Sequence, residues 1–349
     1  MVVAAGSAAD GEPVHRWRRR AAAAIFAAAA LTASAAATDP VLGLFWGPTS
    51  NGANPFVAAP DWVAPVPTAA VLYKTSGGVA SYIGQNRSYY VYANINADTG
   101  NPPSGTAVVT ADASNFTPGQ TTLALTAVGA PFTVCGATYG WRSASTVAGA
   151  AITAGAGQAL SLAVADAAGN PAALTGTTVT VENTVPSVTN LSTVNGGTNT
   201  GIIEINDTLT YTYNDYVDPD SFSDCWVGTT AIDVTLRVTQ GAGGIDDETV
   251  TIWDSTNTVQ LPFGSIATDN NYVTTSRTFG GPGAAQRSRL VSDAGRTTYT
   301  VTLGTASGAV NAREGVGTMV LTPSAAAVDR AGNPMTTATY SETNNDRDF

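Results

Sequence analysis

The sequence predicts an all-β protein of two tandem β-sandwich domains, and three observations lead to that prediction. Runs in which apolar and polar residues alternate recur along the chain, as at residues 89–95 and 207–213, and a period of two is typical of half-buried strands. Clusters of Asp, Gly, Asn and Pro separate these runs and predict turns. The hexapeptide Asp-Ala-Ala-Gly-Asn-Pro at 166–171 returns as Asp-Arg-Ala-Gly-Asn-Pro at 329–334, which indicates two related domains.

The chain begins with a segment typical of export. Residues 16–20 carry four Arg, residues 21–31 form an apolar run, and residues 34–37 are small residues that suit cleavage. A retained anchor helix is the alternative, but the apolar run is too short and too rich in Ala to span about 30 Å of hydrocarbon. We therefore expect residues 1–37 to be a cleaved signal peptide. The mature protein is then secreted or associated with the cell surface, without a transmembrane span.

Residues 38–65 are predicted to form an N-terminal linker or extended segment. They contain repeated Gly-Pro, Asn-Gly and Asn-Pro dipeptides, which break regular structure, and they carry Trp46, Phe56 and Trp62. Two interpretations of this segment stay open. It is a plain tether, or its rings form an exposed aromatic patch that docks onto a partner or onto the first domain.

The first domain is predicted over residues 66–185. Its strands are predicted at residues 69–73, 89–95, 106–111, 121–126, 138–142, 160–164 and 177–184. About seven short strands separated by turns are the pattern of an immunoglobulin-like sandwich. The sequence Glu-Asn-Thr-Val-Pro at 182–186 ends the domain, because Pro after a polar strand end suits a short, stiff link.

The second domain is predicted over residues 186–349. Its strands are predicted at residues 207–213, 232–238, 250–252, 259–261, 299–303, 319–321 and 336–343. With about 160 residues it exceeds the roughly 100 residues of a minimal sandwich. We therefore expect extra strands or long loops around residues 280–295.

Each hexapeptide is predicted to be the turn before the last strand of its domain. An Asp side chain accepts a hydrogen bond from nearby backbone, Gly takes positive φ without steric cost, and Pro stops a central strand. Turn chemistry therefore accounts for every residue of the motif. The alternative is a ligand role for Asp166 and Asp329.

These motifs resemble the bacterial immunoglobulin-like repeat domains of secreted and surface proteins. The resemblance rests on four stretches: residues 166–171, 181–186, 207–213 and 217–221. It covers residues 66–349 and implies immunoglobulin-like folds in an adhesive, spacer or matrix role. It implies no particular activity, because this fold carries none by itself.

Composition and residue types argue against catalysis. The net charge is −11 and only 12% of the residues are charged, so the clustered positive charge that binds nucleic acid is missing. The only His is His15, in the predicted signal peptide, and the only Lys is Lys74. A catalytic triad needs an imidazole base and a phosphate-binding loop needs a Lys. We therefore predict a protein that is not an enzyme, with no catalytic, cofactor-binding or zinc site and no nucleic-acid partner.

Calcium is the one metal that stays open, because it binds clustered oxygen ligands. Two acidic clusters suit it, residues 215–224 with four Asp and residues 246–248, as do Asp166 and Asp329 at the domain ends. The alternative interpretation is solvated loop charge with Asp-capped turns.

Cys135 and Cys225 also leave two interpretations. An exported chain with an even number of cysteines can form a disulfide, and this one would join the two predicted domains. The alternative is a pair of buried or free thiols. For Lys74, the ordinary interpretation is a solvated side chain, and the family resemblance implies a cross-link to Asn183 as the alternative.

The leading functional interpretation is a non-catalytic structural or adhesion protein of the cell surface or matrix. Its partners would be other surface or matrix proteins, or glycans, and the oligomeric state stays open. The alternative is a module that binds carbohydrate or another ligand through exposed aromatic residues: Tyr90, Tyr92, Trp141 and Trp226.

Overall fold

The computed structural model of this chain describes residues 61–100, 104–241, 248–311, 315–345 and 347–349. They belong to one compact unit, Ala59–Phe349. They form an all-β structure, as predicted, with two many-stranded sheets in sandwich-like or barrel-like arrangements. The predicted signal peptide and nearly all of the predicted linker lie outside the described residues. Among those residues, no helix has the length and apolar character needed to cross a membrane.

The first sheet lies within residues 66–181. Its strands are β1 (Val66–Lys74), β2 (Tyr82–Ile83), β3 (Ser88–Asn96), β4 (Thr106–Asp112), β5 (Leu123–Val134), β6 (Ala137–Ser143), β7 (Thr146–Val147), β8 (Gly155–Asp166) and β9 (Pro171–Val181). Their order is β1-β3-β6-β5-β4-β8-β9-β2, with β7 beside β3. Neighbouring strands are antiparallel except β2 and β9, which run parallel. β5 pairs with β4 at its start and with β6 along the rest, so it passes from one layer of the sandwich to the other.

Alternation along β3 separates the two faces of the first sheet. Tyr89, Val91 and Ala93 are fully buried in the core, whereas Tyr90 lies half-buried on the opposite face. Burial of one large apolar side chain contributes roughly 1.5–3 kcal/mol. The same core contains side chains from both layers of the sandwich: Leu72, Phe116, Leu160, Leu162 and Val179.

The second sheet lies within residues 188–341. Its strands are β10 (Val188–Val194), β11 (Thr208–Tyr213), β12 (Ile232–Thr239), β13 (Thr249–Trp253), β14 (Ser265–Ala267), β15 (Arg277–Phe279), β16 (Ser288–Ser292), β17 (Thr298–Thr302), β18 (Val320–Thr322) and β19 (Tyr340–Ser341). Their order is β10-β11-β17-β16-β12-β13-β14-β18-β19, with β15 beside β12. β12 pairs with β16 through its first residues and with β13 through its last, and so joins the two layers as β5 does.

Aromatic rings fill the core of the second sheet. Phe222 stacks on Phe263 with ring centroids 4.1 Å apart, and Tyr211 and Tyr299 pack beside them. The Tyr299 hydroxyl donates a 2.7 Å hydrogen bond to the carbonyl oxygen of Val217, so this buried polar group has a partner. The short 3-10 helix Pro219–Ser221 follows directly and places the loop that faces the first sheet.

Five strands were not predicted, namely β2, β7, β10, β14 and β15. Two predicted strands also differ from the structure. Residues 259–261 make a single bridge, Gln260 with Trp253, because Asp254 accepts hydrogen bonds from the next backbone N–H groups and folds the chain into a tight turn. Residues 336–343 contain only the two-residue strand β19. The N–H of Thr336 donates to the carbonyl of Pro186, so this backbone bonds to the link between the sheets and forms no long ladder. The expected extra structure at residues 280–295 includes β16.

Candidate functional site

The densest polar contacts in the described residues lie where the first sheet meets the second. We call this region the joint, and it comprises the ends of β1, β2 and β9, the β5–β6 turn, the loop 214–228 and the second hexapeptide, residues 329–334. No strand pairing crosses it. Side chains, one disulfide and single backbone hydrogen bonds make the connection.

A disulfide between Cys135 and Cys225 crosses the joint. Cys135 lies in the tight turn between β5 and β6, and Cys225 follows the 3-10 helix of the second sheet. Their Cα atoms are 5.0 Å apart although 90 positions separate them in sequence. Of the two interpretations open from the sequence, the structure has the disulfide.

A buried ion pair joins Lys74 to Asp218. Lys74 ends β1 and Asp218 caps the 3-10 helix, and their side chains are 3% and 2% exposed. Asp218 also accepts hydrogen bonds from the N–H groups of Val79 (3.3 Å) and Asp220 (3.1 Å). The expectation of a solvated Lys74 is therefore wrong, because its partner comes from the other half of the chain.

Asn183 does not contact Lys74. Its side-chain oxygen accepts from the N–H of Gln85 (3.0 Å), and its Nδ2 donates to the carbonyl of Ile152 (3.1 Å). The alternative of a cross-link between Lys74 and Asn183 thus has no contact to support it.

The second hexapeptide binds the segment that follows β9, the last strand of the first sheet in chain order. Asn333 Nδ2 donates to the backbone carbonyls of Glu182 (2.9 Å) and Thr184 (3.3 Å), and also to Asp329 Oδ2 (2.8 Å). The N–H of Gly84 donates to the carbonyl of Ala331 (2.8 Å). A Cβ on Gly84 would lie 2.3 Å from Asn333 Oδ1, so only Gly allows this approach. The predicted turn therefore also holds the joint together.

Arg330 makes the second ion pair of the joint. Its Nε donates to Glu182 Oε2 (2.7 Å), and its guanidinium lies over the rings of Tyr82 (4.4 Å) and Tyr216 (5.4 Å). The hydrogen bond to Glu182 raises the pKa of Arg330. The two rings shield this ion pair partly from water. It should therefore contribute more to stability than a fully exposed surface ion pair does.

The first hexapeptide makes the same contacts at the other end of the first sheet. Asn170 donates from its N–H to Asp166 Oδ1 (2.8 Å) and from Nδ2 to Asp166 Oδ2 (2.7 Å). Asn170 Nδ2 also donates to the carbonyl of Asp61 (3.1 Å), as Asn333 does to Glu182. Gly169 and Gly332 both have positive φ, +92° and +86°. Each hexapeptide thus binds the segment that leads into its own sheet.

Each hexapeptide Asp belongs to a group of three carboxylates whose oxygens lie within 4.8 Å of one another. The first acidic trio is Asp61, Asp98 and Asp166. The second acidic trio is Glu182, Asp215 and Asp329. Positions correspond between the trios: one residue from the entering segment, one from the loop after β3 or β11, and one from the hexapeptide.

The two acidic trios differ in their charge balance. Arg330 pairs with Glu182 in the second trio, whereas Ala167 occupies the corresponding hexapeptide position in the first. Among the described residues, no Lys or Arg pairs with Asp61, Asp98 or Asp166. The first trio is therefore the more negative environment of the two.

Burial raises the pKa values of carboxyl groups in the trios, and hydrogen bonds to the carboxylates lower them. The N–H of Val63 and the hydroxyl of Ser104 lower the pKa of Asp61 by hydrogen bonding to its carboxylate. Burial raises the pKa of Asp329 to about 6, although hydrogen bonds from Asn333 work against it. Burial also raises the pKa of Asp215, whose Oδ2 accepts no hydrogen bond from the described residues.

Carboxylate oxygens are the ligands that calcium prefers, so each trio is a set of residues that could hold it. The sequence pointed to Asp166 and Asp329 as possible ligands but missed Asp61, Asp98 and Glu182. The one sequence feature that could have identified these three is their position just before or after a strand. Of the predicted clusters, Asp218 and Asp220 lie at the joint, bonded to Lys74 and to the N–H of Cys225. Residues 246 and 247 lie outside the described residues.

The aromatic residues predicted to bind a ligand are not all available. Trp226 is 7% exposed in the core, and Trp141 packs against the core of the first sheet. Tyr90 and Tyr92 belong to a ring cluster on the outer face of that sheet, and Arg142 lies over two of its rings. The cluster, which we call the aromatic face, consists of Tyr73, Tyr90, Tyr92, Phe132 and Tyr139.

A cavity of about 320 Å³ lies at the joint between Tyr73 of the aromatic face and the loop of Asp220 and Trp226. Burial raises the pKa of the Asp220 carboxyl group, and a hydrogen bond from the N–H of Cys225 opposes this. Comparison with protein-family models and with curated proteins finds no match to this sequence.

Proposed function

We propose that the protein is an exported, non-catalytic structural component of a bacterial cell surface or extracellular matrix. Two immunoglobulin-like domains, residues 66–185 and 186–349, act as one rigid spacer that presents contacts to other surface or matrix proteins or to glycans. The observation that carries this proposal is the joint. A disulfide, a buried ion pair and the second hexapeptide all connect the same two sheets.

Rigidity follows from the kind of contacts at the joint. Domains in one chain move relative to each other by default unless their interface is large or strongly held. Here Lys74 and Asp218 are both buried, so any opening of the joint must break their ion pair together with the hydrogen bonds from Asn333 to the carbonyls of Glu182 and Thr184. The Cys135–Cys225 disulfide limits any motion that remains.

The strand arrangement supports the immunoglobulin-like assignment of the first domain. β2 pairs with β9 in parallel beside an otherwise antiparallel set, and β5 carries the chain between the two layers. Both features allow seven or more short strands to close around one core. The disulfide supports export, because disulfides persist in oxidising compartments.

The rigid spacer is tested by ¹⁵N relaxation of the oxidised protein from residue 38 onward. We expect one rotational correlation time for amides of both domains. A variant with Lys74→Ser, Asp218→Ser, Arg330→Ala, Asn333→Ala, Cys135→Ser and Cys225→Ser loses the side-chain connections named above and should show two different times while both cores stay folded. Independent tumbling of the two domains in the unmodified protein would refute the proposal. Fractionation of cells that produce the full chain tests export separately.

The aromatic face supports a second candidate function, the binding of a glycan. Four of its rings are partly exposed, whereas Tyr92 is buried beneath them. Sugar rings stack their C–H faces on partly exposed aromatic rings such as Tyr139. Affinity electrophoresis in gels that contain soluble polysaccharides tests this. Tyr139→Ala should abolish any retardation, whereas Tyr340→Ala, a half-buried tyrosine of β19, should not change it. Equal mobility of all three proteins in every gel would eliminate this candidate.

A further inference from the structure

Two carboxylates lie beside the sulfur atoms of the joint disulfide. Asp220 Oδ1 is 4.0 Å from Cys135 Sγ, and Asp224 Oδ1 is 3.6 Å from Cys225 Sγ. The donor atoms of Cys135, Asp220 and Cys225 all lie within 4.8 Å of one another. Both cysteines and Asp224 are exposed, so reductants and metal ions can reach the group.

We propose that reduction of this disulfide creates a zinc site from Cys135, Cys225, Asp220 and Asp224. In the oxidised protein the disulfide connects the two cysteines, and in the reduced protein the bound metal connects them. In either state a bridge joins the β5–β6 turn of the first sheet to the loop 214–228 of the second. The prediction of no zinc site rested on the distance between the cysteines in sequence, which the fold removes.

The donor spacing fits tetrahedral zinc. Bond lengths of about 2.3 Å to sulfur and about 2.0 Å to oxygen place neighbouring S and O ligands about 3.5 Å apart and two S ligands about 3.8 Å apart. The S···O separations of 3.6 and 4.0 Å already lie near the first value. The sulfur atoms, which belong to surface turns, must separate. The exposed side chain of Asp224, which now lies near Cys225 Sγ but outside the group of donors within 4.8 Å of one another, must turn toward Cys135 and Asp220. Two thiolates with two carboxylates complete four ligands, which is the number of a structural zinc site.

Charge also favours a cation in the reduced state. Two thiolates and two carboxylates together carry four negative charges within a few ångströms. The one lysine of the joint, Lys74, already pairs with Asp218. Without a metal these four groups repel one another when ionised, and a divalent ion removes that repulsion. Zinc is preferred over calcium here because thiolates are soft ligands.

Reduction of the disulfide and binding of zinc are two separate steps. A dithiol reductant supplies two electrons and two protons, the S–S bond breaks, and the reductant becomes a disulfide while Cys135 and Cys225 become thiols. Zinc binding then releases the two thiol protons to solvent as two Zn–S bonds form. Affinity should therefore rise with pH.

Cobalt titration tests the site, because Co²⁺ replaces Zn²⁺ and reports its ligands optically. The protein is reduced with a phosphine, freed of it under anaerobic conditions, and titrated with Co²⁺ and then Zn²⁺. We expect one equivalent of Co²⁺ to produce a thiolate-to-cobalt charge-transfer band and intense tetrahedral visible bands, which Zn²⁺ abolishes. The oxidised protein should show neither. Near-ultraviolet circular dichroism checks that the reduced protein stays folded.

Two variants distinguish a site that includes the carboxylates from metal binding by the two thiolates alone. Asp224→Asn changes an exposed side chain and should weaken Co²⁺ binding by about tenfold or more. Asp233→Asn, an exposed carboxylate of β12 remote from the cysteines, is the matched control and should bind as the unmodified protein does. A folded, reduced protein that gives no charge-transfer band would overturn the proposal. Equal Co²⁺ affinity of the Asp224→Asn variant and the control would also overturn it.

Discussion

Replacement of Lys74 by Met tests the energetic role of the buried ion pair. Met keeps most of the apolar stem and removes the charge, so Asp218 stays buried without its cation. At about 3 Å and an effective dielectric constant near 20, the lost attraction is about 5 kcal/mol. The N–H groups of Val79 and Asp220 still donate to Asp218 and offset part of this. We expect Lys74→Met to lower the free energy of unfolding by about 3 kcal/mol.

Urea unfolding of the oxidised protein measures this loss. The matched control is Arg289→Met, which breaks the ion pair of Arg289 with Asp233 at 3.4 Å on the surface of the second sheet. Those side chains are 53% and 41% exposed, so water screens the pair, and the expected loss is below about 1 kcal/mol.

A double variant distinguishes burial of an unpaired charge from loss of packing. Lys74→Met with Asp218→Leu removes both charges, and we expect it to recover most of the stability lost in Lys74→Met. The reasoning is refuted if Lys74→Met costs no more than Arg289→Met. It is also refuted if the double variant is less stable than Lys74→Met alone.

Three further predictions concern the titration of Asp329, calcium binding by the first acidic trio, and the disulfide. Burial raises the pKa of Asp329 to about 6, above its usual 3.8, so its contribution to stability is present at low pH and is lost as pH rises from about 4 to about 6. Relative to Asp329→Asn, the unmodified protein should therefore lose up to about 3 kcal/mol between pH 4 and pH 7, and parallel urea-unfolding curves would contradict this. Calcium chloride should raise the melting temperature above that in EDTA, because the first acidic trio holds three carboxylates without a paired Arg or Lys. Asp98→Asn should make this rise smaller. Identical melting temperatures in calcium chloride and EDTA would contradict the prediction. The variant with Cys135→Ser and Cys225→Ser should lose about 4.5 kcal/mol, because opening a loop of this length gives the unfolded chain more conformational entropy. An unchanged urea midpoint would show that the joint does not depend on the bond.

Sequence reasoning located features that depend on neighbouring residues. The turn of residues 166–171 followed from the chemistry of six consecutive residues, and the structure has Asp166 bonded to Asn170 within that turn. The alternation of residues 89–95 likewise predicted β3, with Tyr89 and Val91 in the core. Such features can be predicted because residues close together in sequence determine them.

The acidic trios were beyond that reasoning. Asp61, Asp98 and Asp166 come from three separate parts of the chain, and only Asp166, the first residue of a hexapeptide, has neighbours in sequence that mark it. The sequence favoured the acidic run of residues 215–224, which supplies only Asp215 to the second trio. Asp218 and Asp220 of the same run bond to Lys74 and to the N–H of Cys225, so they belong to the joint.

The sequence by itself determined the all-β class, most strands and the two related turns, since periodicity and turn chemistry act over a few residues. Only the tertiary structure decided how Lys74, Cys135 and Arg330 are used. Their partners Asp218, Cys225 and Glu182 lie across the joint, and no local pattern specifies a contact between residues that far apart in the chain. The physical reason is that burial and charge pairing depend on which surfaces meet, and that follows from the packing of whole sheets.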